Sequence, residues 1–236
     1  MKVVKDGMRI FPARIYKFAD TKGFSLLEIL VAISLIGIIA ILGINFAQDS
    51  RSRLEATLSE FDRAIRYASN EAVFRNAIVR LRFLLDEEPQ QYIVEYGKGS
   101  NFVLLESVDV KKLSISDRSD QEKRRKKFDA QFSVTPYFED GAKSLGDFIK
   151  VYGVGSIANN SITTEGEVSI FFYPSGEKDT SIIFLNSDEE LASLKIPPFE
   201  DSTYDEYYTF NETELNFLED NLSSRSEEIF SQWLKE

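Results

Sequence analysis

Glu28 is the only charged residue between Phe24 and Phe46. A carboxylate at membrane depth is costly unless a cation pairs with it, so its presence there points to a function. It lies five residues after Gly23, and Gly23 stands where a basic segment meets an apolar run. Two further charged clusters could do chemistry. The run Lys123-Arg124-Arg125-Lys126-Lys127 could hold nucleic acid or anionic lipid. Asp120, Glu122 and Asp129 flank it and no aromatic side chain interrupts it, which points instead to a solvated loop. Glu200, Asp201, Asp205 and Glu206 offer the oxygen ligands that calcium takes. They lack the glycine-punctuated spacing of an EF-hand loop, and a solvated acidic loop is expected there.

The composition excludes much else. The chain has no histidine and no cysteine, which removes the commonest general base, the commonest transition-metal ligand, any disulfide and any thiolate nucleophile. A serine nucleophile would have only a lysine or a carboxylate to activate it. No nucleophile-elbow or P-loop spacing occurs, and Gly153-Val154-Gly155-Ser156 is too short to cradle a phosphate. No enzyme activity, cofactor or metal is expected. Residues 1–23 hold six basic and two acidic residues and so carry +4; the overall charge of −11 leaves −15 for the remainder. The basic end should stay cytoplasmic while the acidic bulk lies across the membrane. An acidic body also argues against nucleic-acid binding.

The elements that must position Glu28 follow from periodicity. Residues Phe24–Phe46 would span about 35 Å as a helix, enough to cross a bilayer. No small-residue cleavage site follows, since Asn45-Phe46-Ala47 precede Gln48. Beyond the apolar run, Leu54, Leu58, Phe61, Ile65, Ala68 and Ala72 fall on one helical face. The helix should therefore continue to about Phe74, with Asn76 as its stop. After Asn76 the period changes to that of strands: Ala77–Leu85, Gln91–Tyr96, Asn101–Glu106, Lys127–Tyr137, Asp147–Tyr152, Gly166–Tyr173 and Thr180–Asn186. The last two flank Tyr173-Pro174-Ser175-Gly176 and read as a hairpin. Residues 107–165 read otherwise as irregular. Near the C-terminus Leu215, Leu218, Leu222, Ile229 and Trp233 form an apolar stripe, expected to pack on the protein's own domain.

The run Gly23-Phe24-Ser25-Leu26-Leu27-Glu28-Ile29-Leu30, behind its basic leader, resembles the processing site and first helix of type IV pilins and type II secretion pseudopilins. The Arg63–Arg82 stretch and Glu167–Leu185, with its Phe-Tyr-Pro-Ser-Gly centre, are similar to minor pseudopilins of the GspH/FimT type. The resemblance covers roughly residues 20–105 and 165–186; residues 107–165 and the extension 187–236 depart from the pattern.

The resemblance implies an α+β fold, with a long N-terminal helix packed on an antiparallel β-rich domain; the apolar stripe of residues 215–233 adds a helical C-terminal extension. The expected division is a leader (1–23), a transmembrane half-helix (24–46), a globular domain (47–186) and, beyond the family's pattern, the extension (187–236). A prepilin peptidase would cut after Gly23, and the new amine of Phe24 would be methylated. Glu28 would pair with the Phe24 ammonium of a neighbouring pseudopilin or pilin, and loss of either partner would be costly. The expected role is a structural subunit of a periplasmic pseudopilus for type II secretion, anchored in the inner membrane by one pass. The alternatives are a minor type IV pilin that binds DNA or a surface at a pilus tip, and a plain membrane-anchored periplasmic domain. Relatives that take up DNA carry a basic motif after their last strands; residues 187–210 are acidic here, with Lys195 the one basic residue.

Overall fold

The computed structural model describes residues 25–98, 115–138, 140–146, 148–187 and 189–235, except the side chains of 38–49, 115–118 and 121. The chain divides into two compact units, residues 1–45 and 46–236. Helix α1 (Leu26–Arg75) begins in the first and ends in the second. Among the described residues no helix is long and apolar enough to cross a membrane. The expected span 24–46 includes Phe24 and side chains that lie outside the described residues.

The end of α1 is where the change of period placed it. Asn76 takes the left-handed conformation, with φ of 49°. Its N–H donates to the Val73 carbonyl at 3.3 Å, and the Ala77 N–H donates to the Ala72 carbonyl at 3.2 Å. This pair of bonds closes the last turn and satisfies two otherwise orphaned carbonyls.

Two antiparallel sheets follow. The first has the order β3 (Phe132–Val134), β2 (Gln91–Gly97), β1 (Val79–Leu84), β7 (Glu167–Phe172), with β4 (Lys143–Ser144) also pairing β2. The second has the order β10 (Tyr204–Thr209), β9 (Glu190–Ile196), β8 (Ser181–Asn186), β5 (Lys150–Ser156), β6 (Ser161–Thr163). Within the second unit all six residues of the expected α1 stripe are buried. They join Leu81, Phe83 and Val94 of the first sheet and Ile183, Leu185 and Leu194 of the second in one core. Phe61 stands edge-on to Phe83 and Tyr92, with centroids 5.4 and 5.1 Å away. Each such pair contributes about 0.5–1.5 kcal/mol beyond its buried area.

A second core lies on the other face of the second sheet. Ile182, Phe184 and Leu191 pack there against Phe210 and against Leu222 and Phe230 of the last helix, α3 (Leu218–Trp233). Leu215, Leu218, Ile229 and Trp233 border it, so the C-terminal stripe packs on the protein's own sheet. Gly155 makes the approach possible: a Cβ there would stand 2.6 Å from Ile182 Cγ2 and 2.9 Å from the Phe230 ring. The Gly153-Val154-Gly155 spacing thus serves close packing in a strand.

Several expectations are corrected. The Tyr173–Gly176 turn forms, with the Gly176 N–H bonded to the Tyr173 carbonyl at 3.0 Å. Its flanking strands, however, do not make a hairpin: they part after one bridge, Phe172 to Lys178, and enter different sheets. The run Ile182-Ile183-Phe184-Leu185 is buried on both faces, and the middle of the second sheet supplies both cores. Lys127–Tyr137 is not one strand. Helix α2 (Ile115–Asp129) takes its start, β3 its middle and a 3-10 turn, Pro136–Phe138, its end. The basic run is therefore helical, with Lys126 paired to Glu122 at 2.7 Å one turn earlier. Residues 107–165 accordingly contain α2 and β3 to β6. The expected acidic loop is partly strand, since Asp205 and Glu206 lie in β10. Asn101–Glu106 lies outside the described residues.

Candidate functional site: the start of the first helix

Ser25 opens α1. Its hydroxyl oxygen accepts from the Leu27 N–H at 3.3 Å, and its carbonyl accepts from the Ile29 N–H at 3.1 Å. This is the work of a serine cap, which satisfies amides that a first turn leaves bare. Glu28 sits in that first turn, where the exposed amide ends of the helix favour a negative charge. Its side chain is exposed, and it forms no ion pair among the described residues. Around it Leu26, Leu27, Ile29, Leu30, Val31, Ile33, Leu35 and Ile36 are all exposed. Ser34 turns its hydroxyl back to the Leu30 carbonyl at 2.8 Å, which hides one polar group inside the helix.

The structure thus presents an exposed apolar helix with one carboxylate near its start. Such a surface demands cover from lipid or from other apolar helices. The carboxylate then demands a cation. Gly23 and Phe24 lie outside the described residues, so no geometry joins them to Glu28 here.

The other clusters do not assemble a site. Glu200 and Asp201 lie in a loop, separate from the strand that carries Asp205 and Glu206. Among the described residues no group of three or more histidine, cysteine or acidic side chains could hold a metal ion. A cleft of about 600 Å³ beside the Asp86–Pro89 turn is lined by Asp86, Glu87, Glu88 and Lys150, without a hydroxyl or thiol nucleophile.

One polar cluster escaped the sequence. Arg80 and Glu95, on adjacent strands of the first sheet, are both buried and bonded at 2.8 Å. Arg82 reaches the other oxygen of Glu95 at 3.0 Å, and Asp129 of α2 reaches Arg80 at 2.6 Å. Arg125 of α2 binds Glu167 of β7 at 2.6 Å. Arg80 lies 4.0 Å over the Phe132 ring. Arg80 and Arg82 alternate along β1 with the core residues Val79, Leu81 and Phe83, and α2 together with Phe132 covers Arg80 while Arg82 stays partly exposed. A buried lysine was also missed: Lys178 donates to the Glu200 carbonyl and is held below its usual pKa by burial, against the pull of Asp201, Asp62 and Glu200. Asp179 beside it is raised by burial, which the Tyr173 hydroxyl and the Phe171 N–H partly oppose.

Comparison with known proteins adds one finding. Residues 19–44 match the prokaryotic N-terminal methylation motif. No curated protein and no solved structure matches the chain. The motif spans Gly23, Phe24 and Glu28 and is a substrate signal for a prepilin peptidase. It supports a type IV pilin-like protein, with the membrane anchoring that such a motif suggests.

Proposed function

We propose that the chain is a minor pseudopilin of the GspH/FimT type, cut after Gly23, methylated on Phe24 and assembled into a periplasmic pseudopilus for type II secretion. The observation that carries this reading is Glu28, a carboxylate without an ion pair among the described residues, in the first turn of an exposed apolar helix and inside the methylation motif. In the assembled filament the Phe24 ammonium of a neighbour answers that charge, and the apolar side chains pack on one another. The inner membrane holds the subunit before assembly, with its C-terminal domain periplasmic. The role is structural and needs no catalysis. A DNA-binding tip pilin draws less support, because Lys123 and Lys126 of the basic run are paired with Asp120 and Glu122 on the same helix.

Mass spectrometry of the N-terminal peptide will find a methylated Phe24 as the first residue. An intact Met1, or a start near Gln48, removes the pilin-like reading. Glu28→Ala will leave membrane insertion intact, since a charge is taken out of an apolar segment. It will reduce recovery of partner pseudopilins by about tenfold or more, the effect of losing one buried charge partner. Equal recovery with wild type and variant would show that Glu28 has no part in assembly.

A further inference from the structure

Sheet edges with free backbone groups are natural docking places, and folded proteins usually block them. Most edges described here are short or partly occupied. β3, β4 and β6 are three residues or fewer. On β7 one outward position of the three, Phe171, is taken by Asp179, whose side chain accepts its N–H at 3.1 Å and whose own N–H donates to its carbonyl at 2.8 Å. β10 is different. It is six residues long, ends the second sheet and contains neither proline nor lysine.

The ladder shows which groups are free. The Phe210 N–H donates to the Glu189 carbonyl at 2.9 Å, which makes the position just after β10 a hydrogen-bonded one. Alternation then turns the backbone of Tyr204, Glu206 and Tyr208 toward β9, and that of Asp205, Tyr207 and Thr209 outward. Among the described residues no hydrogen bond occupies those outward groups. The strand is held ready from both faces. Arg51 stacks on Tyr207 at 3.5 Å, and Arg225 stacks on Tyr208 at 4.1 Å. A preformed edge spares an incoming strand much of the ordering cost.

Charge selects the partner. From Glu200 through Glu214, both included, there are six acidic residues and no lysine or arginine. Glu206 is answered by Lys195 at 2.9 Å, whereas Asp205, at an outward position, forms no ion pair among the described residues. A second copy would bring like charges against this edge, while a cationic strand would be drawn to it. We propose that the outer edge of β10 receives an extended lysine- or arginine-rich segment of another protein, which adds to the second sheet as a further strand.

The test is hydrogen exchange of the full chain in detergent micelles, read by mass spectrometry on the fragment covering 204–209. The probe is a peptide of alternating lysine and valine. It will slow exchange there by about threefold or more, as expected when free edge amides become bonded. A peptide of alternating glutamate and valine will not, nor will the lysine peptide with alternate amides N-methylated. Asp205→Pro removes one outward N–H without touching the β9 ladder and will abolish the protection. Asp205→Lys keeps the backbone and will weaken the effect by about tenfold; it decides the matter should the proline variant fail to fold. No slowing at millimolar peptide, equal slowing by the glutamate peptide or by the methylated one, or slowing that grows with protein concentration alone each overturns the proposal.

Discussion

Phe61→Asp will unfold the globular part. Phe61 is fully buried at the meeting of α1 with the first sheet and contacts Phe83 and Tyr92 edge-on. Removing a buried phenylalanine costs about 3–5 kcal/mol. The carboxylate that replaces it finds no cation in that aromatic cluster and adds a further penalty for burying charge. Together these approach or exceed the total stability of about 5–15 kcal/mol usual for a domain. The fragment from Arg51 to the C-terminus will be folded and rich in β-structure by circular dichroism, whereas its Phe61→Asp variant will show no cooperative melt. Ser59→Asp, two residues away on the exposed face, will change stability by about 0.5 kcal/mol or less. A Phe61→Asp variant that melts like its parent would show that α1 does not hold the sheets together.

Glu95→Ala will be the next most damaging change. Glu95 binds Arg80 with one oxygen and Arg82 with the other, and Arg80 is only 2% exposed. Removing the shared anion leaves two guanidinium groups to one partly exposed Asp129 and a distant Glu167, 3.5 Å from Arg82. Breaking a buried ionic cluster in this way costs about 3–5 kcal/mol. Urea titration will show a fall of that size in unfolding free energy. The double variant Arg80→Met with Glu95→Leu, which removes both charges and keeps the volume, will recover a large part of it. A loss under about 1 kcal/mol for Glu95→Ala would mean that solvent, not α2, covers this face.

The long helix and its junction with the sheets were legible because both are local. The stripe from Leu54 to Ala72 repeats at helical spacing, and all of it is buried. Asn76 is one of the few residue types that tolerates the left-handed turn which ends a helix, and it takes that turn. The C-terminal stripe was legible for the same reason, although Phe230, its most deeply packed aromatic residue, was not singled out. Gly23, Phe24 and Glu28 were legible as a motif, since glycine, apolar run and lone carboxylate are contiguous.

Strand pairing was not legible, because it depends on partners far away in the chain. Tyr173-Pro174-Ser175-Gly176 does form a turn, but a turn fixes direction only for its own residues. Which sheet receives Ile182–Leu185 depended on where two apolar surfaces were on offer, and only the assembled fold provided them. The same holds for Arg80. Its place on an alternating strand says that it faces away from the core, and solvent would normally follow. Phe128 and Asp129, 48 and 49 residues later, bring α2 down over that face and turn a surface arginine into a buried ion. Local sequence therefore determined the first and last helices, the end of the first and the methylation motif, where neighbours in the chain are neighbours in space. Tertiary structure alone decided strand order, the second core and the buried charges, because burial is a property of what the rest of the chain places on top.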